Sequence, residues 1–256
     1  MRTVGVAASV SGAPPPASPS DAEIAEPVVR SPASEPWERI DARTGSYSTE
    51  RFGIGVTAHE RTAIFRNERL ERRVRRETLG QFDGRIAVFF ASHLDLRGVA
   101  TIAASPDRLS EMVRPTVEEQ MASSGIEAVQ EVATASPIPS YPSASTVIEY
   151  QGRFRTPRIA REVSVEDVGE RTLSIPSARL PMSGLVSVWK VDTGTAFAAG
   201  AAFPAGDFRN SNTVSVTGGE GEGLDLTVSV DLRFPVDELR RNVVEMMEAV
   251  DVRGTE

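Results

Sequence analysis

Residues 224–250 read LDLTVSVDLRFPVDELRRNVVEMMEAV, and the period of their apolar residues changes once. Leu224, Leu226, Val228, Val230 and Leu232 alternate with polar residues, the period of two that sends side chains to opposite faces of a strand. After Pro235 the apolar residues fall at Val236, Leu239, Val243, Met246, Met247 and Val250, the spacing of a helix with one buried stripe. A half-buried strand leading into an amphipathic helix predicts an α+β fold, because the helical stripe needs a sheet face to cover.

Working upstream, most of the chain carries the strand period. Phe52, Ile54 and Val56 alternate, as do Ile86, Val88 and Phe90, with Gly45, Gly53, Gly80 and Gly84 supplying turns or bulges. Residues 63–79 fit either a long strand or a helix and are read as strand. Ser105-Pro106 is a helix start, with Ser as N-cap, Pro in the first turn and Asp107 suited to the helix dipole. The stripe Leu109, Met112, Val113, Val117 and Met121 runs on to Gly125, and Pro115 inside it is expected to kink or split the helix. Further strands are expected over 126–132, 147–154, 159–165, 185–191 and 195–202, with turns at Gly152 and at Asp192-Thr193-Gly194. The expected architecture is a largely antiparallel β-sheet with two packed helices, a layered α/β sandwich.

Between residues 9 and 36 the pattern disappears. Pro14, Pro15, Pro16, Pro19, Pro27, Pro32 and Pro36 stand among Ala, Ser and Glu with no apolar period, which predicts a disordered, semi-extended N-terminal tail over residues 1–36. A single α+β domain is expected over 37–256, and 256 residues suffice for one large core. No solenoid period is present.

Composition excludes whole classes of chemistry. With no cysteine there is no disulfide, thiolate zinc site, iron–sulfur cluster, cysteine nucleophile or lipid-bearing cysteine. No apolar run reaches the roughly 20 residues of a membrane-spanning helix, and the stretch 4–10 is too short for a confident export signal. The net charge of -8 predicts a soluble chain that repels phosphate backbones and anionic membranes unless charge is locally segregated. Every basic residue except Lys190 is arginine, a bias that suits a GC-rich genome or a halophile's acidic surface.

The order of elements carries a resemblance. Ile86-Ala87-Val88-Phe89-Phe90, the helix after Ser105-Pro106, Gly125-Ile126-Glu127-Ala128-Val129-Gln130-Glu131-Val132 and the closing Glu245-Met246-Met247-Glu248-Ala249-Val250 resemble haloarchaeal lipoprotein-like proteins. More distantly they resemble the PsbP-like α/β/α sandwich. The resemblance covers residues 47–252 and departs from the lipoprotein pattern in lacking the lipid-attachment cysteine. It implies a non-enzymatic accessory or binding module and carries no residue roles.

Four constellations are candidate sites. His93 and Asp95 stand two apart on one expected strand, so both point to one face, where they could pair as general base or metal ligands; a second histidine ligand would have to be His59. The commoner outcome for such a pair is a satisfied strand end, and neither a metal nor a cofactor is expected. Ser187-Val188-Trp189-Lys190 matches the S-x-x-K pattern of acyl-transfer enzymes, but on a strand residues three apart face opposite sides. Arg61, Arg66, Arg69, Arg72, Arg73, Arg75 and Arg76 crowd a stretch holding only Glu68 and Glu71 as acids, and Arg69, Arg72, Arg73, Arg75 and Arg76 are the candidates for binding an anionic ligand. Phe65 is the single interleaved aromatic, so sequence-specific nucleic-acid reading is not expected. Gly218 to Asp225 resembles one calcium-binding nonapeptide without its ligand aspartate and reads as an acidic loop.

The sequence therefore predicts a non-enzymatic binding or accessory protein. Its expected place is the cell envelope if translation starts upstream of Met1, and the cytoplasm otherwise. The alternatives are an intracellular binder of anions or nucleic acid through residues 61–76 and a hydrolase using His93 and Asp95.

Overall fold

A computed structural model describes residues 24–51, 54–97, 105–135, 146–165, 169–217 and 223–252. The earlier part of the expected tail, the stretch 4–10 and most of the Gly218 to Asp225 loop lie outside the described residues.

The α+β expectation holds, and antiparallel sheet dominates. In chain order the first elements are β1 (Pro27–Val29), β2 (Trp37–Arg51), β3 (Ile54–Asn67), α1 (Glu68–Glu77), β4 (Val88–Arg97), α2 (Pro106–Ser123), β5 (Ile126–Ala135) and β6 (Thr146–Arg155). They continue with β7 (Ile159–Val165), β8 (Gly169–Ile175), β9 (Arg179–Lys190), β10 (Thr195–Pro204), β11 (Phe208–Thr217), β12 (Gly223–Leu232), α3 (Val236–Glu248) and β13 (Val250–Val252). Seven strands form the main sheet in the order β2-β3-β4-β10-β9-β6-β5, every pair antiparallel.

The strand period decides what each face of this sheet meets. Gly184 of β9 and Tyr150 of β6 are register partners, and a Cβ on Gly184 would stand 3.1 Å from Met121 of α2, so α2 lies over that face. Glu149, the neighbour of Tyr150, points the other way and binds Arg240 of α3. The α3 stripe Leu239, Val243, Met246 and Met247 is buried in the common core. At the centre, Phe89 of β4 meets Trp37 and Phe65 edge-on, at centroid distances of 6.2 and 5.9 Å.

Three sequence expectations are corrected, and two strands lie where none was expected. First, residues 68–77 are helix, not strand, which makes three helices among the described residues instead of two. Asn67 Oδ1 accepts the Leu70 N–H at 2.9 Å, Glu68 and Glu71 sit in the first turn, Arg75 and Arg76 in the last, and Leu70 and Val74 are buried four apart. Second, Pro115 does not split α2: Leu109 on one side of it and Val117 and Met121 on the other are buried, which holds both halves in place despite one lost N–H bond. Third, ordered chain begins before Trp37. Val28 and Val29 of β1 pair with Asp251 and Val250 of β13, so two short segments from opposite ends of the sequence satisfy each other's backbone. The two strands not expected are β8 and β11, whose apolar residues are few. Asn210 and Asn212 of β11 donate side-chain N–H groups to the carbonyls of Pro176 and Ser174 at 2.9 and 2.7 Å, tying the β11–β12 hairpin to the β7–β8 hairpin.

Candidate functional site

The arginine-rich run is divided by the fold. Arg61 and Arg66 lie on β3, where Arg61 bridges to Glu26 at 3.3 Å and Arg66 grips Glu38 through Nε and Nη2 at 3.0 and 2.7 Å. The other five belong to α1. Arg69, Arg72 and Arg76 recur at the three-and-four spacing of one helical face, with Arg75 beside them. These four arginines, Leu79 and Gly80 line an open surface cleft of about 650 Å³, and no Asp or Glu is among its described lining residues. Arg73 turns away and pairs with Glu77 at 2.9 Å.

The cleft arginines differ in what holds them. Arg72 meets Glu68 at 3.6 Å and Arg75 meets Asp83 at 2.5 Å, both as exposed pairs. Such pairs contribute about 0–1 kcal/mol, so an incoming anion can compete for these guanidiniums. Arg69 and Arg76 are exposed and have no carboxylate partner among the described residues. Behind them on the buried side of the helix, Glu71 faces Arg66 at 3.6 Å, and burial raises its carboxyl above the ordinary range against the pull of Arg66.

The C-terminus of α1 shapes one end of the cleft. The Gly80 N–H reaches the Arg75 carbonyl at 2.7 Å and the Leu79 N–H reaches the Arg76 carbonyl at 3.3 Å, the paired bonds of a Schellman close. The left-handed position usually given to glycine is held by Leu79, at φ +55°, and Gly80 follows at +81°. Leu79 was not among the sequence candidates; the signal available was a lone apolar residue followed by glycine at the end of a charged run.

His93 and Asp95 share one face of β4 as the spacing requires, and register sets His59 of β3 opposite Asp95 and Arg61 opposite His93. Their contacts differ from those of a catalytic pair. His93 Nδ1 bonds the Ala25 carbonyl oxygen at 2.8 Å, and its ring stacks on Phe197, which stacks on Trp189, at 5.2 and 5.5 Å. Asp95 accepts the Arg97 Nε–H at 2.9 Å. Among the described residues no group of three or more His, Asp or Glu side chains could hold a metal ion. Ser187 has no exposed surface, and its register partners are Val147 and Ala199, whereas Lys190 pairs with Ala196 on the alternate face.

A second concavity lies between α2 and the sheet, lined by Val88, Phe90, Val117, Met121, Met182 and Val186 among others. At about 70 Å³ it falls well below the roughly 300–1,000 Å³ of ordinary ligand pockets. Comparison with protein-family models, with curated proteins and with solved structures finds no match for this chain.

Proposed function

We propose that this protein is a non-enzymatic binding module whose α1 arginine face takes an anionic partner. One observation carries the reading: on a chain of net charge -8, four exposed arginines line a single cleft, and two of them, Arg69 and Arg76, have no carboxylate partner among the described residues. Positive charge concentrated in this way attracts anions locally even on an acidic protein, since exposed charges farther than about 8 Å away are screened at physiological salt. Guanidinium forks match phosphate and carboxylate oxygens in pairs, which identifies the partner's chemistry as one of those two groups. No aromatic side chain lines the cleft, so recognition rests on charge and not on base stacking. The accessory role is the one the PsbP-like resemblance implies.

The test is calorimetric titration with inorganic tripolyphosphate at two salt concentrations. The double variant Arg69→Glu/Arg76→Glu reverses the two arginines that have no carboxylate partner among the described residues. It is expected to weaken binding at least tenfold, since charge-assisted hydrogen bonds contribute about 1.5–3 kcal/mol each and 1.4 kcal/mol is a factor of ten. Unchanged affinity in the variant, or binding that does not weaken as salt rises, would refute the reading.

A further inference from the structure

Building on the anion-binding reading, we infer that the partner is an anionic membrane surface, with Leu79 as the apolar contact that enters it. Leu79 is 61% exposed, the most exposed large hydrophobic side chain among the described residues. It also occupies the left-handed turn position, where a side-chain Cβ is unfavourable and glycine is the usual occupant. Glycine does occur in this turn, one residue later at Gly80. The chain therefore carries both an exposed apolar side chain and a strained backbone at one residue, and within the fold that residue buries little. Held out beside four guanidiniums, this side chain is placed to enter an outside phase together with them.

What surrounds Leu79 identifies the outside phase. It lines the same cleft as Arg69, Arg72, Arg75 and Arg76. Arg69 and Arg76 are two turns apart, a rise of about 10 Å, so the helix offers its length and not its tip to a surface. A free phosphate compound would satisfy the guanidiniums and leave Leu79 in water. A bilayer with anionic headgroups satisfies both, since charged oxygens lie at the level of the arginine forks and hydrocarbon begins just beneath them. Arginine stems are apolar up to the guanidinium and can follow the leucine into the interface while their heads stay at the phosphates.

The experiment is co-sedimentation of the full chain with vesicles of equal parts phosphatidylglycerol and phosphatidylcholine, beside vesicles of phosphatidylcholine alone, and calorimetric titration with tripolyphosphate. Binding to the mixed vesicles and not to the neutral ones is expected. Leu79→Gly should lower the vesicle partition coefficient about tenfold, the effect of withdrawing one leucine from an apolar phase. Its thermal midpoint should be at least that of the parent, because glycine relieves the φ of +55°, and this shows that lost binding is not lost folding. Equal partitioning of Leu79→Gly and parent would overturn the inference. Tripolyphosphate binding without vesicle binding would overturn it too while leaving the anion-binding reading intact, and absence of both would overturn both.

Discussion

Replacing Gly200 by alanine tests the packing of the main sheet at its centre. Gly200 lies on β10 between Phe90 of β4 and Val186 of β9, its register partners. A Cβ there would stand 2.5 Å from the Leu185 carbonyl oxygen, 2.8 Å from Phe90 Cε1 and 2.9 Å from Val186 Cγ2. The phenyl edge can yield, but the carbonyl belongs to the ladder of the neighbouring strand and moves only with it. Overpacking of this kind costs about 1–3 kcal/mol, and alanine's better strand propensity returns about 0.5–1 kcal/mol. The balance is a loss centred on about 1 kcal/mol and at most about 2.5, so about 2–4 °C in Tm at the centre, at 2–4 °C per kcal/mol for a chain of this size. Urea unfolding followed by tryptophan fluorescence reads it directly, since Trp189 on β9 pairs with Phe197 on β10. Gly80→Ala is the contrast: nothing lies within 4 Å of its added Cβ, so its cost comes from φ alone. A urea midpoint above the parent's for Gly200→Ala would refute the close approach of Gly200 to the Leu185 carbonyl.

Two further substitutions probe the ends of elements. Asn67→Ala removes the cap that accepts the Leu70 N–H and should cost about 1 kcal/mol in urea unfolding, whereas an unchanged midpoint would contradict the helix start at Glu68. Asp192 accepts the Gly194 N–H at 2.7 Å in the β9–β10 turn, and that bond holds its carboxyl below the ordinary carboxylate range. A depressed folded-state pKa contributes stability that is present above the unfolded value, near 4, and is lost as pH falls through the folded one. The stability deficit of Asp192→Ala should therefore be full near pH 7 and shrink towards about pH 2; a deficit of equal size at both would show that the carboxylate charge is not what holds the turn.

Several strands were legible because they hold apolar residues on one parity, as in Leu224 to Leu232 of β12, and α2 and α3 because their stripes are long. Residues 68–77 were harder to read, since Leu70 and Val74 are the whole buried apolar set and arginines fill the rest. The charge order, Asn67 then Glu68 and Glu71, with Arg75 and Arg76 at the end, was the better signal there. β1 stayed hidden in proline-rich sequence because its partner, Val250–Val252, lies at the far end of the chain, and pairing over that separation leaves no local mark. β11 reads as polar because Asn210 and Asn212 serve carbonyls of another hairpin. Of the candidate sites, the shared face of His93 and Asp95 follows from spacing alone, but their partners Ala25 and Arg97 come from tertiary placement and from a neighbour's charge. The arginine cluster was visible as composition. Its division between β3 and α1, and the place of Leu79 at the cleft, needed the helix boundary.

The most direct test of the anionic-partner reading is titration of isotope-labelled protein with tripolyphosphate, followed through backbone amide resonances. The reading predicts shifts concentrated at residues 68–80, with Arg69, Arg72, Arg76 and Gly80 foremost and the amides around His93 unmoved. Shifts centred on His93 and Asp95, or none at all at saturating anion, would contradict it.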